Sequence, residues 1–355
     1  MRNRVSHFIY NRFKKNEAHL HELSYLFWEC TRRCNLQCLH CGSDCSSDSN
    51  TVDMPFEDFL KAILPLKKIY KQNSITVAIT GGEPLLRNDL DQCGRSLREH
   101  GFRWGIVTNG YGYTPIVHKK LLAAGMGSIT VSLDGLESSH NWLRSNDQSF
   151  QRAVAALDLI SSSGSLSYDV VTCVNMRNIG ELEKLKEFLV SRKIKSWRLF
   201  TISPIGRAVN SDELFLSPEH LKQLMEFIVR SNNDEHINVS FSCEAYLGEY
   251  EGRVRDTYFF CRAGIHIASV LIDGSISACP NINRCFVQGN IYRDDFLEVW
   301  NNRFQIMRDR RWTKAGICLN CLEYKNCTGG AMHLWNEKQD TIMTCIYKQL
   351  QNDVT

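Results

Sequence analysis

The sequence predicts an α/β fold in which a parallel sheet is followed by a small cysteine-rich domain. Three observations carry that reading. Short apolar or β-branched runs alternate with amphipathic stretches of helical spacing, the alternation stops near Ser240, and cysteines concentrate toward the two ends of the chain. The runs stand at Tyr25–Cys30, Ile75–Thr80, Trp104–Thr108, Ile129–Leu133, Asp169–Val174 and Trp197–Ile202. The helical stretches between and after them are Phe56–Tyr70, Asp89–His100, Ile116–Ala124, Phe150–Ser161, Leu182–Ser191 and Pro218–Arg230. Such alternation makes parallel strands joined by right-handed crossovers, in a sheet that either opens as a doubly wound fold or curls into a partial barrel. In both cases the site forms at the carboxyl ends of the strands, which is where the polar signals of this sequence collect.

Composition bounds the function. A chain of 355 residues is long enough for one large core and a smaller module. A net charge of +3 argues against a nucleic-acid partner. No apolar run approaches the ~20 residues that span a bilayer. The segment Met1–Leu23 is basic but interrupts its apolar residues too often for a signal-peptide core, so it reads as a surface arm or packed helix. A cytoplasmic location is expected, with neither membrane nor nucleic acid as partner.

The chain has 15 cysteines, an odd number in a sequence without an export signal, which favours metal ligation over disulfides. Cys93 and Cys173 stand alone between the two groups, in apolar surroundings, and read as buried core thiols. The first group contains Cys34-x3-Cys38-x2-Cys41 on a loop just after the first strand. Three thiolates can wrap one corner of a cubane cluster and leave the fourth iron open for a substrate-like ligand. A structural zinc site wants four closed ligands, and Cys30 or Cys45 could supply the fourth.

This loop, with His40 just before the third cysteine, resembles the signature of the radical S-adenosylmethionine (radical SAM) superfamily, and the resemblance continues over nearly the whole chain. Gly81-Gly82-Glu83-Pro84 after the second strand is similar to the family's element that receives the ammonium of the methionine moiety. Thr108-Asn109-Gly110 and Ser132-Leu133-Asp134-Gly135 match its ribose- and methionine-facing strand ends, and Arg144 sits where relatives carry an arginine that pairs with the cofactor carboxylate. The resemblance implies a partial (β/α)6 barrel of the TIM type, a catalytic [4Fe–4S] cluster on Cys34, Cys38 and Cys41, and S-adenosylmethionine as cofactor. It also implies the chemistry: reductive cleavage to methionine and a 5′-deoxyadenosyl radical that abstracts hydrogen from the substrate, with the protein fixing geometry and excluding water.

In the tail, Cys261-x12-Gly274-x4-Cys279, Cys318-x2-Cys321-x5-Cys327 and a later Cys345 resemble the SPASM domain, which holds auxiliary iron–sulfur clusters. Gly289-Asn290-Ile291 and Phe296–Trp300 match the stretch between its two halves. By that resemblance Cys318, Cys321, Cys327 and Cys345 close the second auxiliary cluster. The first would rest on Cys261 and Cys279, helped by Cys285 or Cys243, because Ala331 stands near where relatives carry another cysteine; His333 is an alternative ligand. One or two auxiliary clusters are therefore expected. The implied domains are an arm (1–23), a radical SAM barrel (24–235) and a SPASM-like domain (236–355).

SPASM relatives typify the radical modification of ribosomally made peptides and of proteins, so a peptide or protein substrate leads. A tetrapyrrole-type small molecule and a zinc-stabilised, non-catalytic interaction protein are the alternatives. An external electron donor of flavodoxin or ferredoxin type is implied. The twenty-odd residues before Tyr25 cannot form the leader-recognition domain that many peptide-modifying relatives carry. Substrate would therefore come through a separate delivery protein or be recognised by the barrel and SPASM surfaces.

Overall fold

The computed structural model, which describes residues 2–164, 166–232, 234–242, 244–336, 338 and 340–351, turns each of the six apolar runs into a parallel strand. The chain begins with a helix, α1 (Arg2–Leu20), and then enters β1 (Tyr25–Glu29). The barrel continues through β2 (Thr76–Thr80), β3 (Arg103–Thr108), β4 (Ser128–Ser132), β5 (Ser167–Val174) and β6 (Ser196–Thr201), each hydrogen-bonded to the next in parallel. The intervening helices are α2 (Phe56–Ile63), α3 (Leu90–Glu99), α4 (Pro115–Ala123), α5 (Glu137–Arg144), α6 (Ser149–Ser161), α7 (Leu182–Ser191) and α8 (Pro218–Ser231).

Local chemistry sets several boundaries. Helices α4 and α8 start at Thr-Pro and Ser-Pro pairs, where the hydroxyl accepts from Val117 N–H at 3.3 Å and His220 N–H at 3.4 Å and proline fills the first turn without wasting a donor. The expected helix Phe56–Tyr70 is shorter: α2 stops at Ile63 and a 3₁₀ segment, Leu64–Lys68, takes over at Pro65, which has no N–H for the α ladder.

Two edges of the sheet differ from the sequence reading. A seventh parallel strand, β7 (Asn238–Phe241), pairs with β6, so the sheet runs past the expected boundary at residue 235. On the other edge β8 (Ile267–Val270) pairs in parallel with β1, β9 (Ser275–Ser277) pairs antiparallel with β8, and β10 (Gly289–Asn290) pairs antiparallel with β9. The result is one ten-stranded sheet, β10-β9-β8-β1-β2-β3-β4-β5-β6-β7, open between its outermost strands: a partial barrel. The N-terminal helix packs on the cysteine-rich tail, with Tyr10 Oη donating to Tyr258 O (2.7 Å) and Lys14 Nζ to Asn326 O (2.7 Å). Among the described residues no helix is long and apolar enough to cross a membrane.

Strand periodicity separates core from cavity. Leu26, Trp28, Ile129, Val131, Val170, Val174, Trp197 and Leu199 are buried, with the Trp28 ring stacked on Phe59 at 4.7 Å. Their neighbours Tyr25, Phe27, Ser128, Thr130, Ser132, Asp169, Val171, Cys173, Ser196, Arg198 and Phe200 turn inward and line a cavity of about 1700 Å³.

Candidate functional site

The cysteine loop leaves β1 and folds back on itself. Cys34 N–H donates to Ser46 O at 3.0 Å, and Leu39 N–H to Leu143 O at 2.9 Å. The segment after β6 clamps it: Arg207 donates from its N–H to Cys41 O (3.0 Å), from Nε to Cys38 O (2.9 Å) and from Nη1 to Cys45 O (3.0 Å). The approach needs Gly206, whose φ is +58° and where a Cβ would stand 2.3 Å from Cys41 O and 2.7 Å from the Gly42 Cα. Gly206→Ala is therefore expected to displace the loop and lower iron retention after reconstitution, while Arg207→Ala loosens it less; equal iron in Gly206→Ala and wild-type protein would show that the clamp does not hold the loop.

Cys34, Cys38 and Cys41 come together with Cys45, Leu36 and Tyr111 in a cluster of their own, and the three line the cavity. Burial pushes the Cys34 thiol up to about 11, and Cys38 is raised by burial although Arg144 opposes it. Cys41 goes the other way, lowered by a hydrogen bond from Cys45 and by backbone donors. Thiols held protonated in this way, Cys34 and Cys38, are quiet until a metal replaces the proton. Cys30 and Cys93 pack in the main core instead.

Around the loop, His40, Gly81, Gly82, Thr108, Asn109, Ser132 and Arg144 all line the same cavity. Gly82 N–H donates to Thr31 O (2.8 Å) and Glu83 N–H to Arg33 O (2.9 Å), a contact so close that a Cβ on Gly81 or Gly82 would lie 2.2 Å from a carbonyl oxygen. The two carboxylates do not line the cavity; they stand behind its wall. Glu83, 1% exposed, accepts from Thr108 Oγ1 (2.7 Å), Asn109 N–H (2.8 Å) and Leu85 N–H (3.1 Å). Burial raises its pKa despite those donors. Asp134, fully buried, accepts from Arg144 Nε and Nη2, both at 2.6 Å, and from Cys173 N–H at 2.8 Å. Arg144 also reaches Cys38 Sγ through Nη1 at 3.6 Å.

The reading of Cys173 as a core thiol needs correction. It faces the cavity, and ligand atoms of Cys173, His40 and Asp134 lie within 4.8 Å of one another. The signal was in β5, where Cys173 shares its face with Asp169 and Val171 rather than with buried Val170, Thr172 and Val174. Helix α5, which presents Arg144, was not foreseen; Ser145 ends it with φ +52°.

In the tail, Cys318, Cys321, Cys327 and Cys345 converge. Burial first, and then each other's charge, raises Cys318 to about 11 and Cys327 to about 12, and Cys345 likewise. Thr328, Gly329 and Gly330 follow with three successive positive φ values, and Gly330 N–H points at Cys327 Sγ at 3.1 Å, an arrangement suited to an anionic sulfur. Cys279 and His333 line the cavity, Cys261 packs half-buried on the core, and Cys285 is exposed. Ala331 is buried in the core. Cys243 lies outside the described residues.

The residues fit the implied groups on two structural counts. Three clustered thiols face the cavity, and His40 Nδ1 is buried at its wall without a protein hydrogen-bond partner. Comparison with known proteins agrees. Residues 28–189 match the model of the radical SAM superfamily, and residues 261–322 that of the SPASM iron–sulfur cluster-binding domain. The chain is 26% identical over 327 residues to the AdoMet-dependent heme synthase of Methanosarcina barkeri, covering 85% of this chain and 89% of that one. It is 29% identical over 310 residues to the mycofactocin maturase MftC of Mycolicibacterium smegmatis, covering 86% and 77%. In fold it resembles native anSMEcpe with bound AdoMet and Kp18Cys peptide (TM-score 0.72, 19% identity, 94% and 95% covered). It also resembles Streptococcus suis SuiB bound to precursor peptide SuiA (TM-score 0.68, 19% identity, 90% and 75% covered). Its cofactors are accordingly [4Fe–4S] clusters and S-adenosylmethionine. The chain is a radical SAM enzyme with a C-terminal SPASM domain.

Proposed function

We propose that the protein modifies a peptide or protein by hydrogen abstraction, with Cys34, Cys38 and Cys41 holding the catalytic cluster. The observation that carries the substrate reading is the cavity. At about 1700 Å³ it exceeds the 300–1,000 Å³ of ordinary small-molecule pockets, and it runs along the inner face of strands β1–β6, from Tyr25 and Arg198 to the cysteine loop. The names of mycofactocin maturase and of the peptide-bound structures support the same class.

When bound at Cys34, Cys38 and Cys41, the cluster and S-adenosylmethionine supply the 5′-deoxyadenosyl radical. The protein's own task is placement. Gly81 and Gly82 bring backbone to the cofactor's amino acid end, Thr108, Asn109, Ser132 and His40 offer hydrogen bonds to its polar groups, and Arg144 offers a cation. Glu83 and Asp134 act through their neighbours, by fixing Thr108, Asn109 and Arg144. Glu83→Gln puts an amide N–H against one of three donors, and a charge-assisted hydrogen bond is worth about 1.5–3 kcal/mol. Cofactor affinity is therefore expected to fall roughly tenfold or more at unchanged iron content, and an unaltered dissociation constant would remove Glu83 from this role.

Cys318, Cys321, Cys327 and Cys345 form the closed auxiliary cluster in this proposal. Reconstituted protein should then hold about eight irons; ten to twelve would mean that the position of Cys261 and Cys279 is also filled. Electrons come from a flavodoxin or ferredoxin in the cytoplasm, and a separate protein delivers the substrate where the barrel mouth does not select it alone.

A tetrapyrrole is the second reading, favoured by the heme synthase relative and by Arg198, Arg262 and His333 on the cavity wall, which suit propionates. Incubation with cofactor and dithionite decides between them. A short precursor peptide should change mass and stimulate 5′-deoxyadenosine formation, whereas stimulation by iron-coproporphyrin alone would overturn the peptide reading.

A further inference from the structure

Among the described residues the cavity wall carries six arginines and no lysine, against two carboxylates, Asp169 and Glu244. Such a wall favours an anionic guest. Arg144 is spent on Asp134 and Arg207 on the cysteine loop and Asp44, while Arg98, Arg103 and Arg262 are exposed. Arg198 is different, because it stands inside β6 on the inner face and is only partly buried. Its partners fix it without using it up. The Asp169 carboxylate accepts from Arg198 Nε, and Thr130 Oγ1 on β4 donates to the same carboxylate at 2.7 Å. In register Arg198 faces Val171, so Asp169 is its diagonal neighbour on β5, within reach of a long side chain. The Phe200 ring lies 5.6 Å from the guanidinium carbon. Arg198 keeps 40% of its side chain exposed against 17% for Asp169, so it is the guanidinium that reaches into the cavity. Its two Nη groups have no hydrogen-bond partner among the described residues.

The end of a guanidinium presents two parallel N–H groups that match a carboxylate, and here only the Nε edge is occupied. We propose that Arg198 determines specificity by binding a carboxylate of the peptide substrate, supplied by an acidic side chain or by the C-terminus. This rests on the peptide reading above and narrows it to substrates with a carboxylate near the modified residue. Asp169 weakens the pull on an incoming anion but orients the fork beforehand, so less rotamer freedom is lost on binding. Strand register gives the spacing. Phe200 faces Cys173, whose ligand atom lies within 4.8 Å of those of His40 and Asp134 at the cofactor wall, and Arg198 stands two residues below Phe200. At about 3.3 Å per residue that is roughly 7 Å, which an extended peptide covers in about two residues. The carboxylate therefore belongs within about three residues of the carbon that loses hydrogen.

The test is affinity selection by reconstituted protein with S-adenosylmethionine, using acetylated random heptapeptides read by mass spectrometry. Three sets are compared: C-terminal acids without Asp or Glu, C-terminal carboxamides with Asp and Glu, and carboxamides with neither. Wild type should enrich the first or the second set over the third roughly tenfold, as a charge-assisted hydrogen-bonded pair implies. Enrichment of the first names the C-terminus as the source, and enrichment of the second the acidic side chain. Arg198→Gln should lose the preference at wild-type iron content, and Arg198→Lys, a point charge without the fork, should keep part of it. Asp169→Asn, which leaves the guanidinium in place, should keep most of it. If Arg198→Gln loses iron, the double variant Asp169→Asn with Arg198→Gln, which strands no charge, decides in its place. No preference in wild type, or one that survives unchanged without the guanidinium, overturns the proposal. Peptides converted under dithionite should carry the modified residue within about three positions of the acid, and a larger separation overturns the placement. Failure of the peptide reading looks different: wild type would retain none of the three sets and would retain iron-coproporphyrin.

Discussion

Replacing Cys34, Cys38 and Cys41 together by alanine is expected to abolish 5′-deoxyadenosine formation and to remove about four irons, leaving the auxiliary cluster in place. The expectation follows from where the thiols stand. These three share a loop that opens on the cavity, whereas Cys318, Cys321, Cys327 and Cys345 are gathered in the tail. On the proposed assignment, loss of the three thiolates leaves no ligands for an open iron beside Gly81, Gly82 and Arg144, so the expected effect is complete rather than partial. Anaerobic reconstitution, iron and sulfide analysis, and chromatography of the dithionite reaction measure both parts. Residual cofactor cleavage in the triple variant would refute the assignment of the catalytic cluster.

The largest effect on stability is expected from Arg144→Met. Asp134 is fully buried and its charge is met chiefly by that guanidinium, so removing the cation strands a carboxylate at a cost of about 3–5 kcal/mol. Asp134→Asn combined with Arg144→Met should recover most of the loss, because no buried charge then remains. Urea unfolding of the apo proteins measures the difference, and a single-variant loss below about 1 kcal/mol would place the pair with exposed ones. The pH dependence has a definite sign. Burial alone would raise the Asp134 carboxyl, but Arg144, His40 and His140 and the Cys173 N–H together hold it below its usual value. A carboxyl lowered in the folded state contributes stability that is present above the unfolded pKa of about 3.9 and is lost as pH falls through the lower folded value. The advantage of wild type over the double variant should therefore shrink on acidification below pH ~4.

What could be read from the sequence was whatever is local. The cysteine loop, the Gly81-Gly82 turn and six strands are set by spacing over a few residues, and the structure has each of them. Side-chain direction depends on partners far along the chain and was not legible. Glu83 is turned from the cavity by Thr108 and Asn109, 25 and 26 residues away, and Asp134 by Arg144 on a helix whose apolar pattern is too sparse to announce it. Strand β8 lies against β1 although 243 residues separate Glu29 from Ile272, whose N–H donates to the Glu29 carboxylate at 2.9 Å. Cys173 is different, since the two-residue alternation of β5 already put it on the inner face.

The clamp made by Gly206 and Arg207 bears on the order in which the holoprotein matures. Arg207 and Cys38 are 169 residues apart, so the cysteine loop cannot make this contact until the strands between them have been made and docked. Contacts of such long sequence separation form late and slowly. On the proposed assignment of the loop, a nascent chain is therefore expected to gain the ability to retain a cubane only once β6 and the segment after it are in place. Completion of the barrel is thus the expected checkpoint for cluster insertion, and a chain that ends before Arg207 is expected to retain less iron in the cysteine loop.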